Sequence, residues 1–366
     1  MSEKSHVTTL DIDLGCVARN LNRVRERING KSVICVLKAF GYGTDDIALA
    51  KIFEKQGVEY LAVSYADEGV RLRKAGVKSR ILILNPDKST FDVLGEYDLE
   101  PTLLSIQHME AYVVWAKKSG GGDLPVHIKI NTGMNRLGFE VSDRLEIERM
   151  VIESSLTVAT VYSHLAGSDD TCFDSRTRKQ FEIFDKVCSG FSFPFKTHIL
   201  NSSGVARFSD HKSDYVRVGL CLLGVDESGE AWGLEPAISF RTVVTQVRRL
   251  SAGEGVGYGF TDAEAMDREI AWLPVGYADG YPRCLGNGVG CVFIKGVYAK
   301  SVGRVCMGLV AIDVTGLNVV AGEEVELFGR NLCVVELAKK AETISYELLA
   351  RVHGRVSRTY SEKKRL

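Results

Sequence analysis

The feature that most constrains the fold is a regular alternation of short apolar runs with amphipathic segments between residues 33 and 224. Eight apolar runs occur in this region, each followed by a loop or a segment with helical spacing of its apolar residues. They cover residues 33–39, 60–64, 80–84, 100–104, 126–130, 158–165, 197–200 and 215–220. Eight strand–helix units are the number that closes a (β/α)8 barrel, whereas a doubly wound open sheet is the competing interpretation.

The pattern changes near residue 234. From there on, short apolar runs are separated by glycines, and helical periodicity returns only at about 344–352. The strands expected in this part cover residues 238–248, 268–275, 289–294, 300–313 and 325–329. A chain of 366 residues is long enough for two domains. We therefore predict an α/β protein with an N-terminal (β/α)8 TIM-type barrel over residues 1–233 and a mostly β C-terminal domain over residues 234–366.

Composition excludes several classes of function. The 46 basic and 47 acidic residues nearly cancel, so no charge excess favours nucleic acid or an anionic membrane as partner. No apolar stretch reaches the roughly 18 residues of a membrane span, and the first residues lack a signal-peptide core. The nine cysteines are scattered, without a paired C-x-x-C, which favours buried thiols in a reducing compartment. We expect a cytoplasmic protein without a metal site.

Polar residues follow the apolar runs at positions that a parallel barrel would bring together at one rim. Each lies at or just after the end of its run. They are Lys38 and Tyr42 after the first run, Arg136 after the fifth, His164 in the sixth, Asn201 and Ser202 after the seventh, and Arg217 and Gly219 in the eighth. The glycines at 120–122 precede the fifth run, so they belong to the opposite end and are interpreted as a turn.

The rim residues point to pyridoxal phosphate as cofactor. Lysine is costly to bury unless it is paired, neutral or covalently bound, although a lysine at a strand end can also simply extend to solvent. The hydroxyls at 202–203 and the amide of Gly219 suit a phosphate, whereas helix capping is the alternative role of residues 201–204. A phosphate site beside Lys38 suggests pyridoxal phosphate bound covalently to this amine. Arg217, if it faced the ring nitrogen, could not accept its proton, which favours removal and return of an α-proton.

Seven segments in matching order resemble those of the alanine racemases, which are fold-type III pyridoxal-phosphate enzymes. They are residues 36–43, 131–138, 198–204, 216–219, 255–259, 276–283 and 303–307. The resemblance implies that Lys38 and Tyr258 are the general bases on opposite faces of the substrate. It further implies that Arg136, Met307 and Tyr277 bind the substrate.

The resemblance also implies a cofactor site and a dimer. Tyr42 and the elements containing Asn201, Ser202 and Gly219 would contact the phosphate, while His164 would orient Arg217. A head-to-tail homodimer would place Tyr258 and Met307 beside the partner's Lys38, but the residues alone leave open which subunit supplies them. Lys129 matches a lysine that many members carry as a carbamate, and a plain ion-network role is the alternative.

The chain departs from the family pattern on the substrate side. The departures are Phe40 for an asparagine, Thr44 for a histidine, Asn131 and Gly308 for aspartates, and Leu223 and Gly354 for tyrosines. Loss of carboxylates and phenol rings implies a roomier, less anionic entrance. The hypothesis is racemisation of L-alanine to D-alanine, as for peptidoglycan precursors, with breadth that could extend to serine or a larger amino acid.

Two other functions remain open at this point. A pyridoxal-phosphate decarboxylase or aldolase could use the same domain plan, but it would favour an acidic partner for the ring nitrogen where this chain has Arg217. A non-catalytic protein derived from a racemase would be expected to have lost Lys38 or Tyr258, and both are present.

Overall fold

The computed structural model describes residues 6–119, 124–230 and 232–362, so the turn expected at 120–122 lies outside the described residues. The chain first forms strand β1 (Thr9–Asp13) and then a closed barrel of parallel strands. The barrel strands are β2 (Ser32–Val36), β3 (Tyr60–Val63), β4 (Arg80–Ile83), β5 (Glu100–Leu103), β6 (Val126–Lys129), β7 (Val158–Tyr162), β8 (Lys196–His198) and β9 (Tyr215–Val218). Each predicted run overlaps one of these strands, and the TIM-type barrel is confirmed.

Helices follow β1 and the barrel strands, and most of them cover the outside of the barrel. They are α1 (Leu14–Arg27), α2 (Lys38–Tyr42), α3 (Asp46–Lys55), α4 (Ala66–Lys74), α5 (Phe91–Glu96), α6 (Ile106–Ser119), α7 (Arg144–Glu153), α8 (Asp174–Cys188) and α9 (Ser202–Phe208). In α8 the side chains of Phe181 and Phe184 are buried, as their helical spacing predicts. Buried strands with both faces covered explain why the apolar runs are nearly continuous instead of alternating.

The second part of the chain forms a mostly antiparallel sheet. Its strands are β10 (Ile238–Val243), β11 (Gln246–Leu250), β12 (Arg268–Leu273), β13 (Cys291–Ile294), β14 (Val297–Val302), β15 (Val310–Asp313), β16 (Glu324–Phe328) and β17 (Ser357–Ser361). Two short helices, α10 (Val334–Lys340) and α11 (Ser345–Ala350), precede β17. The runs 238–248 and 300–313, expected as single strands, are each two strands separated by a turn or loop, and helix α10 was not expected.

The first strand of the chain belongs to this second sheet. The sheet order is β11-β12-β15-β14-β13-β16-β10-β1-β17. Strand β1 pairs antiparallel with β10 and parallel with β17, with Leu10 opposite Phe240 on one side and Arg358 on the other. Leu10 and Ile12 are buried, so the alternating apolar residues of β1 help to join the two parts of the molecule.

Two kinds of feature are absent from the described ranges. No helix in residues 6–119, 124–230 and 232–362 is long and apolar enough to cross a membrane. The same residues contain no cluster of three or more histidine, cysteine, aspartate or glutamate side chains suited to a metal ion.

Candidate active site

A cavity of about 370 Å³ lies at the carboxyl end of the barrel strands. Its lining includes the residues that the sequence placed at this rim. These are Lys38, Tyr42, Arg136, His164, Asn201, Ser202, Arg217 and Gly219. The eight residues come from loops and strand ends distributed over 182 positions of sequence, from Lys38 to Gly219, and the closed barrel brings them together.

A left-handed turn follows Lys38 and positions Tyr42. Residues 39–41 have φ values of 53°, 54° and 64°, and Tyr42 continues at 58°. Each left-handed residue other than glycine costs about 1–2 kcal/mol, so the surroundings must hold the turn in place. The Glu68 carboxylate accepts a hydrogen bond from the Ala39 N–H at 2.6 Å, and Arg358 of β17 donates to the Gly43 carbonyl at 2.7 Å.

The turn brings the Tyr42 hydroxyl against Gly219. A Cβ atom at position 219 would lie 2.1 Å from Tyr42 Oη, so only glycine permits this approach. The Gly219 N–H donates to Ser202 Oγ at 3.4 Å, and the Asn201 side chain caps α9 by accepting from the Gly204 N–H at 2.8 Å. A hydroxyl from Tyr42, a hydroxyl from Ser202 and the backbone of Gly219 thus converge on one corner of the cavity.

Several cations share the cavity and affect each other. Burial, with the charges of Arg136 and Arg217, lowers the pKa of the Lys38 amine. Burial and the same two guanidinium groups lower the pKa of Lys129 to about 8. A lysine with a lowered pKa is a better proton acceptor at neutral pH than an ordinary exposed lysine.

Arg217 is a buried cation in the wall of the cavity. Its Nη2 donates to the Ser163 carbonyl at 2.6 Å and to His164 Nδ1 at 2.9 Å, and its Nη1 contacts His198 Nδ1. Burial and then the charge of Arg217 lower the pKa of His164 well below its ordinary value, so His164 accepts this hydrogen bond as a neutral ring. Hydrogen bonds from both Nη atoms therefore fix the orientation of the Arg217 guanidinium.

Three residues predicted for the site lie elsewhere in the same subunit. Tyr258, Tyr277 and Met307 do not line the cavity, and their exposed fractions are 69%, 45% and 61%. Met307 and Tyr277 lie close together, because the Ala278 and Tyr277 N–H groups donate to the carbonyls of residues 307 and 306. These side chains form part of an exposed surface of the second domain.

Other lining residues were not assigned to the site from the sequence. Tyr346 of α11 packs edge-on against Tyr42 with ring centroids 5.8 Å apart, and Asn85 follows β4. Asn85 lies just after the end of its strand, as the assigned residues do, and this position could have indicated from the sequence that it belongs to the site. Tyr346 arrives from the second domain, and nothing in the barrel pattern indicates it.

The residues that differ from the family pattern on the substrate side lie in different parts of the structure. Phe40 is exposed at the rim beneath the guanidinium of Arg71, 5.2 Å from the ring centroid. Leu223 is buried in the core, and neither Leu223 nor Gly354 lines the cavity. No atom lies within 4 Å of the position that a Cβ at Gly354 would take.

The donor set fits pyridoxal phosphate. Lys38 offers an amine with a lowered pKa, and the corner formed by Tyr42, Ser202 and Gly219 offers hydroxyl and amide donors to a phosphate. Both Nη atoms of Arg217 are hydrogen-bonded within the protein. The guanidinium can still donate a hydrogen bond to a ring nitrogen, but it cannot accept a proton from one. Both ends of such a cofactor thus have partners of suitable chemistry.

Comparison with known proteins gives one family. The family models described as "Alanine racemase, N-terminal domain" and "Alanine racemase, C-terminal domain" match residues 12–227 and 237–360. An alanine racemase of Halothermothrix orenii is 34% identical over 97% of both proteins. The crystal structure of alanine racemase from Streptomyces lavendulae superposes with a TM-score of 0.91 at 27% identity over 97% of both chains. That of Bartonella henselae, which contains covalently bound pyridoxal phosphate, gives 0.90 at 26% identity, covering 97% of this chain and 99% of the other.

Proposed function

The chain belongs to the alanine racemase family of pyridoxal-phosphate-dependent isomerases, and we propose that it racemises alanine with Lys38 and Tyr258 as its two bases. The single observation behind the assignment of Lys38 is that eight residues predicted from the sequence, this lysine among them, line one cavity, whereas the role of Tyr258 rests on the family to which the chain belongs. The cofactor, when bound, supplies an electron sink for the α-carbon.

Lys38 is suited to act as a base because burial and the neighbouring guanidinium groups lower its pKa. In one direction its Nζ accepts the α-proton while the Tyr258 hydroxyl donates from the opposite face, and the roles reverse for the other enantiomer. Arg217 holds a donor toward the ring nitrogen and accepts no proton, and the corner of Tyr42, Ser202 and Gly219 holds the phosphate. Arg136 supplies positive charge at the rim for the substrate carboxylate.

The proposal requires a homodimer. Tyr258 and Met307 are exposed and absent from the cavity of their own subunit, so a second subunit must present them to Lys38. Phe260 and Met266, which lie close to Tyr258 in the sequence, are also exposed, with 83% and 78% of their areas accessible. An apolar surface of this kind is suited to contact with a partner.

Mixing two inactive variants tests the shared site. Lys38→Ala and Tyr258→Phe homodimers should each be inactive, but unfolding and refolding them together creates mixed dimers with one intact site. Random pairing should restore about a quarter of the wild-type activity per subunit. No recovery in a verified mixed dimer would mean that each subunit uses its own Tyr258 and would reject the arrangement proposed here.

The reaction itself is tested in deuterated water. The protein with pyridoxal phosphate and L-alanine should lose the α-proton signal in the NMR spectrum while D-alanine appears by chiral chromatography. Tyr258→Phe should slow racemisation about 10²–10⁴-fold, as expected for loss of one positioned acid–base group. Bound cofactor without any exchange on alanine would overturn the proposal.

Breadth toward serine or a larger amino acid is a second proposal. Gly354 lies outside the cavity of its own subunit, so in the proposed dimer it would act on the partner's entrance, where the open space around it would leave room for a larger side chain. Gly354→Tyr should then lower activity on serine more than on alanine, whereas Gly354→Ala, which adds only a methyl group, should change neither. Equal losses on both substrates would contradict the idea.

We also propose a two-domain division at residue 234 and a cytoplasmic location in which D-alanine is supplied for peptidoglycan. All nine cysteines are free thiols, and Cys16, Cys35 and Cys221 are buried, which suits a reducing compartment. Strand β1 crosses from the first of these domains into the sheet of the second.

A further inference from the structure

The barrel interior contains a buried polar path that the proposed reaction does not use. Arg217 is only 4% exposed, and no carboxylate forms an ion pair with it among the described residues. A buried cation without an anionic partner is unfavourable, so its hydrogen-bond partners become important. One of those partners, His198, leads away from the cavity, toward the other end of the barrel.

The path consists of Glu100, His127, Thr160 and His198, which we call the relay. Arg217 Nη1 contacts His198 Nδ1, and His198 Nε2 lies 2.9 Å from Thr160 Oγ1. The same hydroxyl lies 2.7 Å from His127 Nδ1, and His127 Nε2 lies 3.0 Å from Glu100 Oε2. All four relay residues are at least nine-tenths buried.

The chemistry of the two ends fixes the direction of every hydrogen bond between them. A guanidinium only donates, so His198 Nδ1 must accept and its proton must lie on Nε2. His198 then donates to Thr160, whose own proton has His127 Nδ1 as its acceptor. His127 in turn donates through Nε2 to the Glu100 carboxylate. A second proton on His127 would leave the Thr160 hydroxyl proton without an acceptor, which is costly at a buried site.

The fold explains how the relay climbs the barrel. Its members lie on the consecutive strands β5, β6, β7 and β8, and Arg217 lies on β9. In a barrel with tilted strands, neighbouring strands contribute to successive layers of interior side chains, so a path from strand to strand rises along the axis. The relay therefore joins the first residue of β5 to the cavity at the carboxyl ends.

Glu100 is a well-anchored end for this path. It accepts from Arg80 Nε at 2.6 Å and from the Tyr60 hydroxyl at 3.0 Å. Burial alone would raise its pKa, but its contacts with His127 and Arg80 outweigh burial and hold the pKa below the ordinary value. The carboxylate thus stays ionised at neutral pH.

We propose that the relay is a positioning device that holds Arg217 as a fixed donor toward the cofactor ring nitrogen through a chain of hydrogen bonds anchored at Glu100. This rests on the proposed function, because it uses the assignment of Arg217 to the ring nitrogen. Every relay proton points away from the cavity, so the barrel interior offers the ring nitrogen no proton. The relay side chains are positioning residues and touch no reacting atom.

The first test is independent of activity. Proton–nitrogen correlation spectra of the histidine-labelled protein, recorded without substrate, should show His198 and His127 neutral with their protons on Nε2. Protonation of His198 on Nδ1, or on both nitrogens, would overturn the assigned direction. This result stands even if the protein failed to racemise alanine, so failure of the relay and failure of the proposed function are distinguishable.

The second test interrupts the relay with little change in shape. Thr160→Val should lower kcat for α-proton exchange about tenfold, the usual scale for loss of a residue that orients a site group, and alter the absorption spectrum of the bound cofactor. Thr160→Ser, which restores the hydroxyl, should return kcat to within about threefold of wild type. Thr177→Val is the matched control, because Thr177 is equally buried but its hydroxyl has no partner among the described residues.

The third test removes the charge at the end of the relay. Glu100→Gln should lower kcat with little change in the KM for alanine, whereas Glu59→Gln should leave both unchanged. Glu59 is the suitable control because it is exposed and pairs with the same Arg80 at 3.5 Å, but contacts no relay residue. Equal behaviour of the two variants, or failure of Thr160→Ser to recover kcat, would reduce the relay to core packing and refute the proposal.

Discussion

Replacement of Gly219 by alanine is the sharpest perturbation of the proposed phosphate corner. The added Cβ would lie 2.1 Å from Tyr42 Oη and 2.7 Å from two further atoms of the same ring. The ring cannot yield easily, because Tyr42 is buried, packs against Tyr346 and belongs to the left-handed turn. Overpacking of this kind costs about 1–3 kcal/mol of folding free energy.

The variant should lose more in cofactor affinity than in stability. If the Tyr42 hydroxyl is displaced, its hydrogen bond to the charged phosphate, worth about 1.5–3 kcal/mol, is lost. Affinity for pyridoxal phosphate should therefore fall about 10- to 100-fold, because each 1.4 kcal/mol changes a dissociation constant tenfold. Absorbance titration of the cofactor-free protein measures this affinity, and urea unfolding measures stability.

Two further variants make the result interpretable. Gly354→Ala should change neither quantity, because nothing lies within 4 Å of the new methyl group. Tyr42→Phe should weaken cofactor binding on its own, and in the double variant with Gly219→Ala the two losses should not add, because they remove the same contact. Wild-type affinity and stability in Gly219→Ala would refute the steric reasoning, and fully additive losses would separate Gly219 from Tyr42.

Three smaller predictions concern residues around the site. Lys129→Met should remove a rise in the free energy of unfolding between about pH 8 and 10.5, of up to about 3 kcal/mol, because the unfolded chain binds the lysine proton more tightly than the folded one. Urea midpoints of variant and wild type compared across this range test it, and a constant difference would contradict it. Thr177→Val should leave the free energy of unfolding unchanged or raise it by up to about 1 kcal/mol in the same assay, since it removes a buried hydroxyl that has no hydrogen-bond partner among the described residues. A clear loss of stability would mean that this hydroxyl is hydrogen-bonded. Glu68→Ala should lower the free energy of unfolding by about 1–2 kcal/mol and weaken cofactor binding, because the Glu68 carboxylate accepts hydrogen bonds from the N–H groups of Ser64 and Ala39. An unchanged midpoint of urea unfolding would show that the turn after Lys38 does not depend on Glu68.

The barrel could be predicted from the sequence because its strands are covered on both faces. Such strands read as continuous apolar runs, and the residue after each run lies at the rim whatever the details of the loop. Lys38, His164 and Arg217 were placed in this way, although β2 and β7 end two residues before Lys38 and His164. The end of the barrel at which these residues lie could therefore be inferred without knowledge of any side-chain contact.

Features that depend on contacts between residues far apart in the sequence could not be predicted in this way. The left-handed turn at residues 39–43 is held by Glu68 and Arg358, and Tyr346 enters the cavity from α11. The relay histidine His127 lies in an apolar run, where a single polar residue indicates no partner. Strand β1 has a pattern too short to show which sheet it joins.

The place of β1 between β10 and β17 has a consequence for folding. Residues 9–13 leave the ribosome long before their strand partners, which both lie beyond residue 237, so this segment remains without them until those strands have been synthesised. Pairings over such sequence separations form slowly, because a long loop must close before any contact is gained. The barrel strands between residues 32 and 218 have no such delay and can associate earlier. The second sheet thus joins segments that are synthesised far apart in time, and we expect it to be completed after the barrel has formed.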